Sequence, residues 1–479
     1  MREKWYKAPV EAEYKKRTIK RNKRMRTGKK SKFLSLFLAL VISVTLIAGK
    51  TDVHAEENDG NTVETVEATV IETTEGTDET ADSELLTVET VGDKSTDKEF
   101  RAVWIAYYDF DDSKGMDKEA FTAYVGEMFD NVADIGMNAV MVHVRAFSDA
   151  MYKSKYYPWS VYASGQQGVS PGYDPLKIMV KEAHARGLEI HAWLNPYRVT
   201  SSWNGGTDVT KLSKKNPARK WLTNKKTSDD RYVLSYGSAL YYNPSISAVR
   251  KLIVNGVKEI VENYDVDGIH FDDYFYPDLG TNYETNFDAP EYEKYKKKAA
   301  ASGEKPMSIA DWRKNNVNLL VKAVYKAVKS IDPDVTFGIS PGGYIDYFDE
   351  DFRWYVDYRT WMSEKGYIDY ICPQLYWSFN SRNIFPFYET LIRWCAAATN
   401  ENVRVYAGLP AYKMNENTNV SSLDRITDTE FYNQYLIADM VHYIRKNERA
   451  SGFIVFDYED LVKAKNAEMT EKLKEEIGS

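Results

Sequence analysis

The chain has 479 residues, of which 43% are apolar and 28% are charged, and it includes 36 Tyr, 19 Phe and 11 Trp. This composition can fill a large core, and it excludes a wholly disordered protein, a collagen-like fibre and a small disulfide scaffold. The net charge of −8 is the sum of segments that carry opposite charge. Residues 1–32 hold 14 Lys or Arg against three Glu, whereas residues 56–98 hold 14 Asp or Glu against two Lys.

The basic N-terminal segment continues into an apolar run at residues 33–49, and the small-residue site Val53-His54-Ala55 follows. This order is typical of an export signal and argues against a nucleic-acid-binding arm. We expect residues 1–55 to be a leader that is cleaved after Ala55. The alternative is a membrane anchor at 33–49, because this predominantly apolar run of 17 residues approaches the length of about 20 that spans a bilayer. Either outcome places the rest of the chain outside the cell or at its surface.

Residues 56–98 contain many Glu, Thr, Val and Asp residues and no aromatic residue. Without a helical or strand period, this composition predicts a disordered acidic spacer. From residue 99 to residue 479, short apolar runs alternate with helical patterns. We therefore predict one folded domain over 99–479.

Eight strand-like segments occur in this domain. They lie at residues 100–107, 138–144, 188–194, 267–274, 335–340, 368–377, 403–409 and 452–458. Amphipathic stretches separate them, for example at 121–135 and 249–261, where apolar residues recur with the i, i+3, i+4, i+7 spacing of a buried helical face.

Alternating strands and helices specify parallel strand neighbours, and eight such units predict an α/β protein of the (β/α)8 (TIM) barrel class. An open, doubly wound sheet rarely runs to eight regular units and usually has a glycine-rich first turn, which this sequence lacks. We predict a single barrel with long insertions after its second, third and fourth strands.

The two cysteines, Cys372 and Cys395, are too few for disulfides to organise the fold. One lies in a predicted strand and the other in the helix after it, which favours two separate buried thiols over a bridge. The six His residues show no clustering typical of zinc sites, so we expect neither a metal nor another cofactor.

The active site of such a barrel lies at the carboxyl ends of its strands, so inward-facing polar residues there are the candidates. In the fourth strand, Ile269 and Phe271 suit the helix layer. Alternation then turns three residues inward, namely His270, Asp272 and Tyr274. Asp273 is expected on the outer or loop side.

The same alternation in the eighth strand predicts Ile454, Phe456 and Tyr458 on the outer face and turns Val455, Asp457 and Glu459 inward. Other strands supply further polar groups to the mouth of the barrel. Together with His270 and Tyr274, these are the candidate substrate-binding residues of the mouth. From the second, third and sixth strands they are His143, Arg145, His191, Trp193, Asn195, Arg198, Gln374, Tyr376 and Trp377.

Carboxyl groups opposed across a pocket are what glycosidic cleavage requires, since one protonates the leaving oxygen while the other attacks or activates water. We predict Asp272 as one catalytic carboxylate and Asp457 or Glu459 as the other. Structural roles are the alternative for each residue: strand-end carboxylates often cap helices or form ion pairs, and buried histidines and aromatics often belong to a core.

Six motifs in this domain resemble the glycosyl-hydrolase-like family ten, a group of bacterial exported (β/α)8 proteins. They are PWSVYASGQQGVSPGYDPL (158–176), HAWLNPYR (191–198), DGIHFDDYFYP (267–277), DWRKNNVN (311–318), YICPQLYWS (370–378) and GLPAYK (408–413). The resemblance covers essentially all of 99–460. The chain departs from it after the fifth strand, in GISPGGYIDYF (338–348), and at the acidic end of the eighth strand.

The resemblance implies carbohydrate cleavage at the cell surface, with peptide-free bacterial cell-wall glycan as the leading substrate. Transferred by motif, Asp272 and Asp273 with His270 form the acidic centre. The sugar site is lined by Asn195, Arg198, Gln374 and Tyr376.

Two other functions stay open. In a metal-dependent hydrolase, Asp272, Asp273 and nearby histidines would bind a divalent ion, although no HxH or HExxH spacing supports it. In a glycan-binding barrel without catalysis, the same fold would hold a polysaccharide on the cell wall.

Overall fold

The computed structural model describes residues 99–202, 204–280, 283–350, 353–379, 385–416, 418–421 and 426–479. The leader predicted at 1–55 and the spacer predicted at 56–98 lie outside these described residues. Within the described ranges, no helix combines the length and the hydropathy that a membrane crossing requires.

A closed barrel of eight parallel strands forms the centre of the fold. All strands of the described chain are, in order, β1 (Phe100–Ile105), β2 (Ala139–Arg145), β3 (Glu189–Leu194), β4 (Val233–Tyr236), β5 (Ala239–Tyr242), β6 (Gly268–Phe271), β7 (Thr336–Ile339), β8 (Tyr370–Ile371), β9 (Arg404–Pro410), β10 (Thr418–Ser421), β11 (Ile426–Asp428) and β12 (Ala450–Phe456). The barrel order is β1, β12, β9, β8, β7, β6, β3, β2. These are the eight strands that the sequence predicts, so the (β/α)8 barrel is confirmed.

Helices alternate with the barrel strands and cover their outer faces. They are α1 (Lys118–Asp134), α2 (Val161–Ser164), α3 (Pro175–His184), α4 (Pro217–Thr223), α5 (Ser247–Asn263), α6 (Ala289–Ala301), α7 (Ile309–Ile331), α8 (Ile345–Glu350), α9 (Tyr358–Ser363), α10 (Phe387–Ala397), α11 (Leu436–Arg445), α12 (Tyr458–Val462) and α13 (Ala467–Ile477). The buried faces of α1 and α5 match the predicted spacing. Asp174 and Ser308 cap α3 and α7 by accepting backbone N–H groups of their first turns.

The predicted insertions after the second, third and fourth barrel strands are present. The insertion after the third barrel strand, β3, contains the antiparallel hairpin of β4 and β5. The insertion after the fourth barrel strand, β6, contains α6. A second hairpin, of β10 and β11, follows β9 and was not anticipated from the sequence.

The lower half of the barrel interior is filled by rings rather than by aliphatic side chains alone. Phe100 stacks on Tyr406 with ring centroids 4.5 Å apart, and Tyr370 lies beside both. A β-carbon at Gly268 would overlap the ring of His191, and one at Gly338 would overlap the ring of Tyr370. Glycine at these two strand positions therefore makes room for the polar rings.

Both cysteines are buried and unpaired, as the sequence predicts. Burial raises the pKa of the Cys372 thiol well above its ordinary value. Both side chains therefore pack as small apolar groups.

A fully buried ion pair fixes the insertion after β6 to helix α7. Arg313 donates from Nη2 to Oδ1 of Asp288 at 2.5 Å and from Nε at 3.0 Å, and neither side chain is exposed. The same guanidinium donates to the carbonyl oxygen of Glu284 and to the hydroxyl of Tyr355. These two acceptors satisfy further N–H groups of the guanidinium, and a buried charge pair is stable only when its remaining donors find such partners.

We expect Arg313→Leu to lower the free energy of unfolding by about 3 to 5 kcal/mol, because it leaves the buried Asp288 carboxylate without its counter-charge. Urea denaturation measures the change. Arg359→Leu is the matched control, since Arg359 pairs with Asp349 at an exposed site and such pairs contribute about 1 kcal/mol or less. Equal losses in the two variants would contradict a special role for the buried pair.

Candidate active site

Two carboxyl groups on consecutive residues, Asp272 and Asp273, lie at the mouth of the barrel. They follow β6 directly and are 4% and 8% exposed. Gly342 lines a cleft at the mouth. A β-carbon added to Gly342 would lie 3.5 Å from the Oδ2 atom of Asp273. The outer side expected for Asp273 is therefore wrong, whereas the expected loop side agrees with its position beside the loop that contains Gly342. Strand pairing ends at Phe271, so the alternation of a strand no longer applies.

Burial is the main cause of altered acidity in this pair. It raises the pKa of Asp272 well above its ordinary value, and the adjacent Asp273 raises it further. The backbone N–H of Tyr274, 3.2 Å from Oδ1, and the charge of Arg198 oppose this rise. Burial also raises the pKa of Asp273, to about 7, against the opposing charge of Arg198. Near neutral pH the pair therefore holds one protonated and one ionisable carboxyl group.

The guanidinium of Arg198 is the cation that acts on both carboxyl groups. It lies between two aromatic faces, 4.9 Å from the ring centroid of Phe147 and 5.0 Å from that of Tyr274. The sequence prediction that Arg198 and Tyr274 belong to this region is consistent with their positions.

Side chains of β2 and β3 form the layer below the carboxyl pair. His143 stacks on Trp193 with ring centroids 3.7 Å apart and an interplanar angle of 12°. Burial lowers the pKa of His143 well below its ordinary value, so the ring is neutral. Asn195 donates from Nδ2 to the carbonyl oxygen of Ala146 at 3.1 Å. All three predicted sugar ligands, His143, Trp193 and Asn195, are buried, so they support the mouth from below.

A hydrogen-bonded chain in the barrel interior fixes the tautomers of two histidines. The indole of Trp104 can only donate, and it donates to Nε2 of His270 at 3.0 Å. The proton of neutral His270 is therefore on Nδ1, which donates to the hydroxyl of Tyr370 at 2.9 Å. That hydroxyl then donates to Nδ1 of His191 at 3.2 Å. Burial lowers the pKa of His270 well below its ordinary value, in agreement with a neutral ring.

The predicted placement of His191 and His270 at the sugar-binding surface is wrong. Both face inward as expected, but they are almost fully buried and their rings bond to other interior side chains. The inward face of a parallel barrel is filled in layers, so only residues at the last level reach the mouth.

The predicted position of Arg145 in the mouth is also wrong. The pairing of β2 with β3 shifts register between His143 and Arg145, and this irregularity reverses the alternation. Arg145 consequently points out of the barrel. Its guanidinium lies 4.6 Å over the ring of Tyr157 and packs against Gly256 of α5.

The orientation predicted for the eighth strand is reversed. Ile454 belongs to the interior cluster and Phe456 packs against it, with its ring 6.0 Å from that of Trp104. The interior of this barrel includes an apolar sector, so apolar residues at these positions did not mark the outer face.

The two carboxylates predicted from the eighth strand have protein partners. Asp457 accepts a hydrogen bond from the hydroxyl of Tyr108 and another, at 3.1 Å, from the backbone N–H of Asp460, which makes it the cap of α12. Burial raises its pKa to about 7. Glu459 lies in the first turn of α12, 3.5 Å from the ammonium of Lys463.

An aromatic cleft of about 80 Å³ opens beside Asp273. Its lining residues are Gly342, Gly343, Tyr344, Gln374, Tyr376, Trp377, Tyr412 and Lys413. Edge-to-face contacts hold Trp377 against Tyr344 at 4.9 Å and Tyr376 against Tyr412 at 5.6 Å. The predicted positions of Gln374, Tyr376 and Trp377 at the mouth agree with this lining.

Several residues of the site were missed by sequence reasoning. They are Trp104, Tyr108, Ser340, Gly342, Gly343, Tyr344, Tyr370, Tyr412 and Lys413. For Trp104 and Tyr370 the available signal was strand alternation in β1 and β8, which places each of them on the same face as other interior residues. The segment 338–348, which the sequence analysis sets apart from the family resemblance, contains the two cleft glycines Gly342 and Gly343, and it was the available signal for the cleft.

In the part of the chain that the structure describes, no group of three or more His, Cys, Asp or Glu side chains is placed to hold a metal ion.

Comparison with known proteins gives a family and a common architecture. The sequence model described as "Glycosyl hydrolase-like 10" matches residues 99–423. The chain is 41% identical over 353 residues to "Glycosyl hydrolase YngK" of Bacillus subtilis (strain 168), covering 70% of this chain and 64% of that protein. It is 37% identical over 312 residues to "Glycosyl hydrolase DigH" of Escherichia coli (strain K12), covering 60% of this chain and 66% of that protein. The matches thus span just under two thirds of these relatives.

Among solved structures, the PgaB (BpsB) glycoside hydrolase domain from Bordetella bronchiseptica superposes with a TM-score of 0.51 at 13% sequence identity. The superposition covers 78% of this chain and 99% of that one. At this identity the likeness shows the fold alone.

We expect Tyr370→Phe to lower the free energy of unfolding by about 1 to 3 kcal/mol, because two buried imidazoles lose their shared partner. Thermal and urea denaturation measure the loss. Tyr197→Phe is the matched control, since Tyr197 is fully buried and its hydroxyl has no hydrogen-bond partner among the described residues. A loss no larger than that of the control would show that the chain of bonds does not stabilise the interior.

Proposed function

Because the chain belongs to the glycosyl hydrolase-like 10 family, we propose that it is a glycoside hydrolase that cleaves a polysaccharide at the mouth of the barrel. The observation that carries this proposal is the pair of buried carboxyl groups of Asp272 and Asp273, whose raised pKa values provide a proton donor and an ionisable partner at neutral pH. Glycosidic cleavage needs these two states in one site.

Asp272 is the proton donor in this proposal. Burial and the adjacent Asp273 raise the pKa of Asp272 well above its ordinary value, so this carboxyl can hold the proton that the leaving oxygen takes up. As the bond between the anomeric carbon and the leaving oxygen breaks, the proton of Asp272 moves to that oxygen. The carboxylate of Asp273 stabilises the positive charge that develops on the sugar. Water then adds its hydroxyl to the anomeric carbon, and its remaining proton returns to the carboxylate of Asp272, which restores the acid.

Asp273 replaces Asp457 and Glu459 as the proposed second carboxylate. Asp457 already accepts hydrogen bonds from Tyr108 and from the backbone of α12, and Glu459 pairs with Lys463. These contacts give both residues structural roles, whereas Asp273 lies beside the cleft.

The proposed substrate is bacterial cell-wall glycan that has lost its peptides, and the proposed location is the cell surface or the extracellular space. The predicted export leader at 1–55 and the family resemblance support this choice. The aromatic walls of the cleft, Tyr344, Tyr376, Trp377 and Tyr412, suit stacking on pyranose rings. Neither a metal nor a cofactor takes part in the proposed reaction.

We expect Asp272→Asn to reduce hydrolysis of peptide-free cell-wall glycan by about 100- to 10,000-fold, because an amide cannot supply the proton. Mass spectrometry of products from the full-length chain measures the loss, with α- and β-glucans tested in parallel. The melting temperature should stay equal or rise, since a buried acidic group is replaced by a neutral one.

Asp265→Asn is the matched control, because Asp265 is 95% exposed and precedes the same strand at the opposite end of the barrel. It should retain wild-type activity. If the wild type binds glycan and cuts none of the polymers, a glycan-binding barrel replaces the hydrolase proposal.

The pH dependence of kcat/KM provides a separate prediction. Activity needs Asp273 ionised and Asp272 protonated, so it should rise as pH increases through about 7, where Asp273 ionises. It should fall at higher pH, where Asp272 loses its proton. An acid limb at about pH 4, the range of an exposed Asp, would contradict the assignment of Asp273.

A further inference from the structure

Two buried hydrogen-bond donors near Asp272 make no hydrogen bond of full geometric quality among the described residues, although the Trp193 side chain lies close enough to Asp272 to lower the pKa of that carboxyl. They are Nε1 of Trp193 and Oγ of Ser340. Trp193 is 6% exposed, Ser340 is 1% exposed, and both donor atoms are closed to solvent. Buried donors are nearly always bonded in native proteins, so each unpaired donor calls for a physical explanation.

The strand register places these donors on opposite sides of Asp272. Trp193 pairs with His270 across β3 and β6, and Asp272 is two residues beyond His270. On the other side, the backbone N–H of Ser340 donates to the carbonyl oxygen of Phe271 at 2.8 Å, so Ser340 stands beside Asp272. Gly338 faces the barrel interior, and alternation turns Ser340, two residues later, the same way.

The two donors are closed to solvent, so an incoming sugar is not their natural partner. The acceptor that lies between the two donors in the strand register is a carboxyl oxygen of Asp272. A protonated carboxyl group accepts hydrogen bonds weakly, whereas a carboxylate accepts them strongly. The donors therefore match the form of Asp272 that exists after it has given up its proton. The stacking of His143 on Trp193 keeps the indole plane fixed meanwhile.

We propose that Trp193 and Ser340 are positioning residues that donate hydrogen bonds to the Asp272 carboxylate as it forms during proton transfer to the leaving oxygen. This inference rests on the proposed function. The proton leaves Asp272 for the glycosidic oxygen, the negative charge remains on Asp272, and the N–H and O–H groups then bond to that charge. Interactions that strengthen only in the transition state raise kcat without tightening substrate binding.

The test compares Ser340→Ala and Trp193→Phe with the wild type, using the full-length chain and peptide-free glycan. Each variant should lower kcat by about 10- to 100-fold and change KM by less than about twofold, because the lost donor contacts the acid rather than the substrate. Ser340→Thr should restore activity, since it keeps the hydroxyl.

The pH profile separates this role from a structural one. Asp272 also faces the charges of Asp273 and Arg198 and lies above neutral His270, and the variants leave these groups in place. Loss of a donor destabilises the ionised acid, so the basic limb of kcat should move to higher pH. Ser113→Ala and Trp221→Phe are the controls, because the Ser113 hydroxyl bonds to the Phe110 carbonyl and Trp221 packs on Tyr232.

Two outcomes distinguish the inference from the proposed function. If Asp272→Asn is inactive while Ser340→Ala and Trp193→Phe keep the wild-type kcat and basic limb, the inference fails and the hydrolase proposal stands. If the wild type cuts no glycan, the hydrolase proposal fails. Infrared titration of the Asp272 carboxyl then still decides the inference, since an unchanged pKa in both variants would overturn it. Circular dichroism confirms that each variant is folded.

Discussion

The structure around the site depends on one electrostatic constraint: two carboxyl groups on consecutive residues are buried together at the end of β6. Two negative charges so close are unfavourable in a medium of low polarity, so the pair retains a proton that exposed carboxyl groups would lose. Arg198 reduces this effect on both residues without cancelling it. The state needed for acid catalysis thus follows from burial and proximity.

The interior of the barrel supports the pair mechanically and contributes little charge. The chain of donors and acceptors from Trp104 through His270 and Tyr370 to His191 holds every ring in a defined orientation. Because the imidazole of His270 is neutral, it adds no positive charge below Asp272 that would favour its ionisation. Glycines at 268 and 338 are the sequence feature that permits this arrangement, since any side chain there would collide with His191 or Tyr370.

The sequence was sufficient for the architecture, and its errors in the placement of candidate site residues have local causes. Hydrophobic runs and helical periodicity identified all eight barrel strands, because buried parallel strands have a distinctive pattern. The prediction of side-chain direction failed where strand alternation is interrupted. This happens at the register shift before Arg145 and after Phe271, where β6 ends. It also failed at Phe456, because polarity was taken as the mark of the inward face. Register and strand ends depend on pairing with other strands, which periodicity in one segment does not encode.

Asp457 shows why acidity alone does not select a candidate for the second carboxylate of the proposed reaction. Burial raises the pKa of Asp457 to about 7, the same value as for Asp273. The difference is in their hydrogen bonds. Asp457 accepts one from Tyr108 and one from the first turn of α12, so its oxygens serve the fold. A carboxyl group that must exchange a proton with a substrate needs an oxygen that the fold does not use. The hydrogen bonds of each carboxyl group therefore discriminate among the acidic residues of this mouth where pKa values do not.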